Sequence, residues 1–150
     1  MATVSAYLNF DGTCEEAFAF YREVFGGELV DPPMRMGDMP PTPGQPPLAE
    51  DEASRVMHVA LDIVAGYRLM GSDILPSMGH VLTAGNAMYV AITLDDEDEA
   101  RDLFAKLSAG GTVAVEPTPM FWGDLYSDFI DRFGIQWMVM APLTEGTGLA

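Results

Sequence analysis

His58 is the side chain of this sequence best suited by type to move a proton near neutral pH, because imidazole titrates there without any special environment. It lies in the run Arg55-Val56-Met57-His58-Val59-Ala60-Leu61-Asp62-Ile63, where Met57, Val59, Leu61 and Ile63 alternate with Val56, His58, Ala60 and Asp62. A period of two is the mark of a strand. His58 therefore shares a row with Asp62 on the face opposite the apolar stripe, and Tyr7 and Asn9 are its expected neighbours across the sheet. Two roles fit that setting: a hydrogen-bonded structural residue of the strand, or a general base or ligand-binding group. His80, between Gly79 and a connector that also holds Pro76, is expected in solvent or at a subunit contact.

A second set of candidates is aromatic. Tyr7, Tyr89, Phe121 and Trp122 offer broad apolar faces with polar handles, the materials of a pocket for an aromatic or cationic ligand. Trp137 shares a face with Ile135 and Val139 and is expected in the core. Trp122, beside Gly123 and after the approach through Pro117 and Pro119, is the better pocket residue. Cys14 is the single cysteine, so neither an intramolecular disulfide nor a thiolate cluster is available, and it reads as an inert small residue at a helix start. Gly-x-Ser-x-Gly, Gly-x-Gly-x-x-Gly and the phosphate-binding Gly-Lys-Ser/Thr loop are all missing from the sequence.

Charge narrows the partners. With 23 Asp plus Glu against 7 Lys plus Arg, the net charge is −16. Such a surface repels phosphate backbones and anionic lipid, so neither nucleic acid nor membrane is an expected partner, whereas cationic ligands are attracted. The acids are scattered along the chain, which is also what a solubility or high-salt adaptation produces. No apolar run approaches the roughly 18 to 20 residues that span a bilayer, and Met1-Ala2-Thr3-Val4-Ser5 lacks a basic start followed by an apolar core; a cytoplasmic protein is expected.

The elements that must position these groups follow from periodicity. Val4 to Phe10 reads as a strand with Ala6, Leu8 and Phe10 on one side and Ser5, Tyr7 and Asn9 on the other. Thr13, with Glu16 three residues on, has the form of a capping box; Ala17, Phe20, Tyr21, Val24 and Phe25 recur at helical spacing until Gly26-Gly27. Glu28-Leu29-Val30 starts a second strand. Residues 32–54 hold seven prolines and read as a long loop. Arg55–Ile63 and Tyr67–Asp73 follow as strands around Ala65-Gly66. After Gly85-Asn86 the order begins again: a strand over 87–94, a helix from the acidic run Asp95-Asp96-Glu97-Asp98-Glu99 to about Ala109, a strand over 112–115, and a hairpin over 121–140 turning at Asp131-Arg132-Phe133-Gly134. Glu16-Ala17, Phe20, Tyr21, Val24 and Gly27 align with Glu99-Ala100, Leu103, Phe104, Leu107 and Gly110. The chain thus carries an internal βαβββ repeat, about 4–73 and about 86–141. Length and repeat predict one α+β domain over 1–150.

Particular motifs accompany that repeat: Tyr7-Leu8-Asn9-Phe10-Asp11-Gly12, Glu16-Ala17, Phe20-Tyr21, Val24-Phe25-Gly26-Gly27, Met36-Gly37-Asp38, Met57-His58, Leu69-Met70-Gly71-Ser72-Asp73, and Phe121-Trp122-Gly123 with the final hairpin. Together they resemble the PhnB-like branch of the vicinal oxygen chelate superfamily, which includes glyoxalase I, extradiol dioxygenases and bleomycin-resistance proteins. The resemblance implies two βαβββ repeats forming a curved mixed sheet with helices on the outer face. It also implies a ligand site on the opposite face and a homodimer with sites at or near the interface. Enzymes of the superfamily hold a divalent metal with His, Gln or Glu from the first, fourth, fifth and last strands. A loose match sets Ser5 or Tyr7, Leu69 or Met70, Tyr89 and Met138 at those positions, which is not a ligand set such metals favour.

No metal ligands and no cofactor are therefore predicted, and the expected function is small-molecule binding by a homodimer, with Tyr7, Asn9, His58, Tyr89, Phe121, Trp122 and Met138 as ligand-binding residues. The alternative is a metal-dependent lyase or dioxygenase of the glyoxalase type, using His58 with Asp62, Asp73 or Glu116. Proteins of this kind are sometimes labelled ubiquinone-pathway methyltransferases, but the glycine loop common in cofactor-binding methyltransferases is not in this sequence.

Overall fold

A computed structural model describes residues 1–144; residues 145–150 of the expected domain lie outside the described residues. The chain forms two compact units, one of Met1–Thr83 and one from Ala84 onward. Each contains a four-stranded mixed sheet with the same strand order.

In the first unit, β1 (Tyr7–Phe10) buries Leu8 and Phe10 and leaves Tyr7 and Asn9 exposed, as the alternation predicts. The helix α1 (Cys14–Phe25) ends at Gly26, whose φ of 72° is the left-handed conformation that glycine adopts without a Cβ penalty. Its buried residues are Cys14, Ala17, Phe18 and Tyr21. The apolar stripe is thus rotated from the one predicted: Phe18 is the core residue, and Phe20 is half-buried. Phe18 packs so closely on β4 (Arg68–Asp73) that a Cβ on Gly71 would lie 2.7 Å from its ring. β1 pairs with β4 in parallel, and β4 pairs antiparallel with β3 (Val56–Asp62). The α1 crossover connects into the edge of this sheet.

The strand predicted over Glu28–Val30 is reduced to one bridge, Leu29 with Leu61. The edge strand β2 is instead Met34–Arg35, inside the stretch read as a loop, where it pairs antiparallel with β3. Pro33 bounds β2 on one side and the 3₁₀ turn that begins at Met36 bounds it on the other. Two further parts of the proline-rich segment are fastened down, while residues 39–47 are exposed. They form a 3₁₀ turn, Met36–Asp38, and a short helix α2 (Glu50–Ala53). Met36 is buried, and its N–H donates to the carbonyl of Arg55 at 2.9 Å. Buried Glu52 accepts bonds from the N–H and hydroxyl of Ser77, which hold its carboxyl below the usual range. Arg35 pairs with Glu15 of α1.

The capping box expected at Thr13 does not form; the Thr13 side chain makes no cap hydrogen bond. Asp73, at the end of β4 and only 4% exposed, takes over the task from across the sheet. Its Oδ1 accepts from the N–H groups of Gly12 (2.9 Å) and Cys14 (3.0 Å), and its Oδ2 from Val56 (2.9 Å). One carboxylate thereby joins the start of α1, the start of β3 and the end of β4.

The second unit repeats the plan: β5 (Val90–Thr93), α3 (Glu97–Leu107), β6 (Thr112–Pro119), β7 (Asp124–Ile130) and β8 (Gln136–Pro142). β5 runs parallel to β8, and β7 joins β8 to the edge strand β6. The acidic run is the first turn of α3, with Asp96 as N-cap accepting from Glu99 N–H at 3.0 Å. β6 extends beyond the predicted 112–115 through Pro117 and Pro119, which an edge position with register shifts permits. Leu125, Phe129, Trp137 and Val139 are buried on the same side as Ala100, Leu103 and Leu107 of the helix. The turn over 131–134 is present, and buried Asp131 organises it: Oδ1 accepts from Phe133 and Ile135 N–H, and Oδ2 from the Trp137 indole at 2.8 Å. Phe121-Trp122-Gly123 belong to the turn between β6 and β7 and not to a strand, as the Gly123 N–H to Met120 carbonyl bond and the Met120 N–H to Asp124 carbonyl bond show.

Asp73→Ala leaves three backbone donors without their acceptor, at ~1–3 kcal/mol for each buried unsatisfied group. The expected loss of unfolding free energy in urea titration is about 3 kcal/mol or more. A loss below about 1 kcal/mol would show that water replaces the carboxylate.

Candidate functional site

Each sheet carries its helix on one face and half-exposed side chains on the other, and the candidate residues lie on the uncovered faces. In the first sheet, Tyr7 of β1, Met70 of β4 and Ala60 of β3 form one cross-strand row, and Asn9 stands beside Ser72. Tyr7 is 46% exposed. Its ring stacks on His58 with centroids 5.9 Å apart and planes at 28°, and its hydroxyl lies 3.3 Å from His58 Nδ1. Which of the two donates depends on the imidazole tautomer, since a hydroxyl and a ring nitrogen can each play either part. Met34 of the edge strand pairs with His58. The expected His58–Asp62 partnership does not occur: Asp62 takes a two-pronged bond from Arg68, 2.8 Å to Nε and 3.1 Å to a terminal nitrogen. The guanidinium lowers the pKa of Asp62 and removes it as a partner for a general base. His80 is exposed, and its Nδ1 accepts from the Leu75 N–H at 3.2 Å.

In the second sheet, Met138 faces Asp128 on one side and Ala91 on the other, and Tyr126 faces Met140 and Thr118. The Tyr126 hydroxyl donates to Asp128 Oδ2 at 2.8 Å. Partial burial, that bond and the nearby charge of Asp128, with a smaller effect from Tyr89, push the phenol up to about 12. Trp122 meets Tyr126 edge to face at 6.3 Å and Phe121 at 5.0 Å. Trp122 is 52% exposed and Phe121 86%, so Phe121 forms the tip of the β6–β7 turn and not a pocket wall. Trp137 is fully buried, as expected. Tyr126 and Asp128 are functional candidates that the sequence reading passed over. The available signal was their alternation with the buried Leu125, Ser127 and Phe129 along β7.

The profile of the Glyoxalase/Bleomycin resistance protein/Dioxygenase superfamily matches residues 4–139. The chain belongs to this superfamily. Protein YjdN of Escherichia coli (strain K12) is 30% identical over 141 residues, covering 91% of this chain and 92% of YjdN. The crystal structure of protein PA1353 from Pseudomonas aeruginosa superposes with a TM-score of 0.81 at 32% identity, covering 95% of this chain and 98% of that one. The PhnB protein from Bacillus cereus, at 23% identity and a TM-score of 0.70, shares the fold over 95% of this chain and 100% of its own. The PhnB-like glyoxalase fold expected from the motifs is thus the fold of this protein.

The residues that the loose match sets at the superfamily's metal-ligand positions are Ser5 or Tyr7, Leu69 or Met70, Tyr89 and Met138. Tyr7 is engaged with His58, Leu69 is fully buried in the core, and Met70 and Met138 offer thioethers, which divalent metals of this kind do not favour. The alternative set fares no better. Asp62 is held by Arg68, Asp73 points its oxygens at three backbone donors, and Glu116 is exposed on β6. Among the described residues, no three His, Cys, Asp or Glu side chains group as a metal centre would require. A cleft of about 410 Å³ beside the start of α1 sets Glu15, Glu16 and Asp51 around Arg35 and Arg55. Both guanidiniums are paired, with Glu15 and Asp11 respectively, so this cleft is the polar seam between α1 and the fastened parts of the proline-rich segment.

Two titrations follow. The ultraviolet absorbance of Tyr126, isolated as the difference between wild type and Tyr126→Phe, is expected to rise only around pH 12, and Asp128→Asn is expected to move it down toward 10; a midpoint near 10 in the wild type would mean that the pair is broken in solution. Cys14 is fully buried beside Asp73, and both burial and that carboxylate raise its thiol far above the usual range. It is expected to stay unmodified by a thiol-reactive aromatic disulfide until denaturant is added, and rapid labelling of the native protein would contradict the burial.

Proposed function

We propose that this protein binds a small molecule, aromatic or cationic in character, at the uncovered sheet faces, and that it does so without the usual metal ligands of the superfamily. The observation that carries this reading is the state of the aromatic side chains there. Trp122 over Tyr126, and Tyr7 over His58, stand partly exposed beside hydrogen-bonding groups, whereas an aromatic needed only for the core is buried as Trp137 is. Apolar ring faces with a few polar atoms among them bind and orient a ligand. Asn9 and Ser72, exposed and half-buried neighbours on the first sheet, add hydrogen-bonding capacity of both kinds. The family resemblance supports a pair of identical chains as the working unit, and the acidic composition supports a cytoplasmic protein that engages neither nucleic acid nor membrane.

The test pairs ligand binding with metal content. Indole fluorescence is titrated with a panel of aromatic and cationic compounds; quenching is expected to survive Trp137→Phe and to disappear in Trp122→Ala. Equal loss in both variants, or quenching by no compound, would count against the reading. Elemental mass spectrometry of chelator-free protein, before and after loading with Mn, Fe, Ni and Zn, is expected to find less than a stoichiometric amount of metal. One tightly held equivalent would replace this proposal with a metal-dependent lyase or oxygenase, for which His58→Ala is the first variant to assay.

A further inference from the structure

Most of the chain's cations are paired with a carboxylate, and two half-buried carboxylates on the helix-free face of the second sheet, Asp124 and Asp128, enter no ion pair among the described residues. Six basic side chains form these ion pairs: Arg22 with Glu28, Arg35 with Glu15, Arg55 with Asp11, Arg68 with Asp62, Arg101 with Glu97 and Lys106 with Asp102. The seventh, Arg132, donates its Nε–H to the Ala109 carbonyl. Among the described residues, Asp128 receives only the Tyr126 hydroxyl, on Oδ2. Its direct neighbour across β8 is the thioether of Met138, not a lysine or arginine.

A carboxylate in a partly desolvated place is favoured by a positive charge far more than by one neutral donor. The surroundings here are of a particular kind. Tyr126 and, edge to face with it, Trp122 offer π surfaces, and Met138 and Met140 offer polarisable sulfur on the same face. Asp124 stands on the same row of β7, one pleat before Tyr126, and adds to the negative potential. Rings and thioethers beside one carboxylate suit a cation whose charge is wrapped in carbon. A bare metal ion needs several oxygen or nitrogen ligands, which are not gathered at this place.

We propose that the uncovered face of the second sheet holds a recognition subsite for an organic ammonium group bearing alkyl or aryl substituents, with Asp128 as the counter-charge and Trp122, Tyr126 and Met138 as the walls. This rests on the small-molecule-binding reading above and names the ligand class for that site. The Tyr126 hydroxyl fixes the Asp128 carboxylate in place through Oδ2 and leaves Oδ1 to meet the cation.

The test uses protein labelled with ¹³C at the methionine methyl groups and three probes of similar size: benzyltrimethylammonium, benzyl alcohol and benzoate. Benzyltrimethylammonium is expected to shift the Met138 methyl resonance saturably, and the other two are not. Asp128→Asn, which keeps an acceptor for Tyr126, is expected to weaken binding about tenfold, in line with the loss of one charge-assisted contact. Asp98→Asn, an equal change of net charge on the exposed start of α3, is expected to leave binding unaltered. The same spectrum reports whether each variant is folded, and Asp128→Ala stands in should Asp128→Asn fail to fold. Binding of the ammonium probe to Asp128→Asn at wild-type strength, or equal weakening by Asp98→Asn, would reduce the effect to general attraction by an acidic surface and overturn the proposal. Saturable binding of benzyl alcohol or benzoate alone would overturn it while leaving the small-molecule reading intact. If no probe shifts Met138 and no compound quenches Trp122, both readings fall.

Discussion

Parallel pairing of the first strand of each repeat with its last is the constraint from which the functional surfaces follow. A parallel neighbour cannot be reached by a tight turn; the chain must leave the sheet, cross over one face and return. In both repeats that crossover contains a helix, and its buried residues occupy the face it covers: Ala17, Phe18 and Tyr21 in one, Ala100, Leu103 and Leu107 in the other. The remaining two strands come back by antiparallel steps and add nothing to the opposite face. Tyr7 and His58 in one sheet, and Tyr126, Asp128 and Met138 in the other, consequently lie on the faces opposite these helices, although Val56 and Ala60 on the His58 side of β3 are buried.

Two buried carboxylates hold these plans in register. Asp73 and Asp131 each satisfy three N–H donors, and each sits beside a chain reversal or an element start that has no regular ladder of its own. Burying a charge is costly unless its lone pairs are occupied, and here they are occupied by groups that would themselves be orphaned. The contrast with Asp128 is one of partners. Asp73 and Asp131 are surrounded by donors that the fold needs to satisfy, while Asp128 faces rings and thioethers.

Much of the architecture was legible in one dimension. Alternation along Tyr7–Phe10 determined which side of that strand is buried, because a period of two leaves no freedom once one face is apolar; β3 departs from its alternation, since Val56 and Ala60 are buried on the side of His58. The acidic start of α3, the glycine after α1, the turn over 131–134 and the burial of Trp137 followed from equally local rules. The motifs identified the superfamily. Two of the failures share one origin, a group whose partner is distant in sequence. Thr13 has the composition of a cap, yet Asp73, 60 residues on, does the capping. Met34–Arg35 lies among prolines, yet β3 recruits it as an edge strand.

The site divides along the same line. Sequence by itself determined the repeat, the fold class and the exposure of Tyr7 and Asn9 on β1, since these depend on residue type and on position within one strand. Tertiary structure alone decided which charges are spent on one another. Arg68 takes Asp62 from His58, Tyr126 turns to Asp128, and no basic side chain reaches that carboxylate among the described residues, because a hydrogen bond or an ion pair needs a separation near 3 Å that strand register and side-chain packing set and that sequence distance does not.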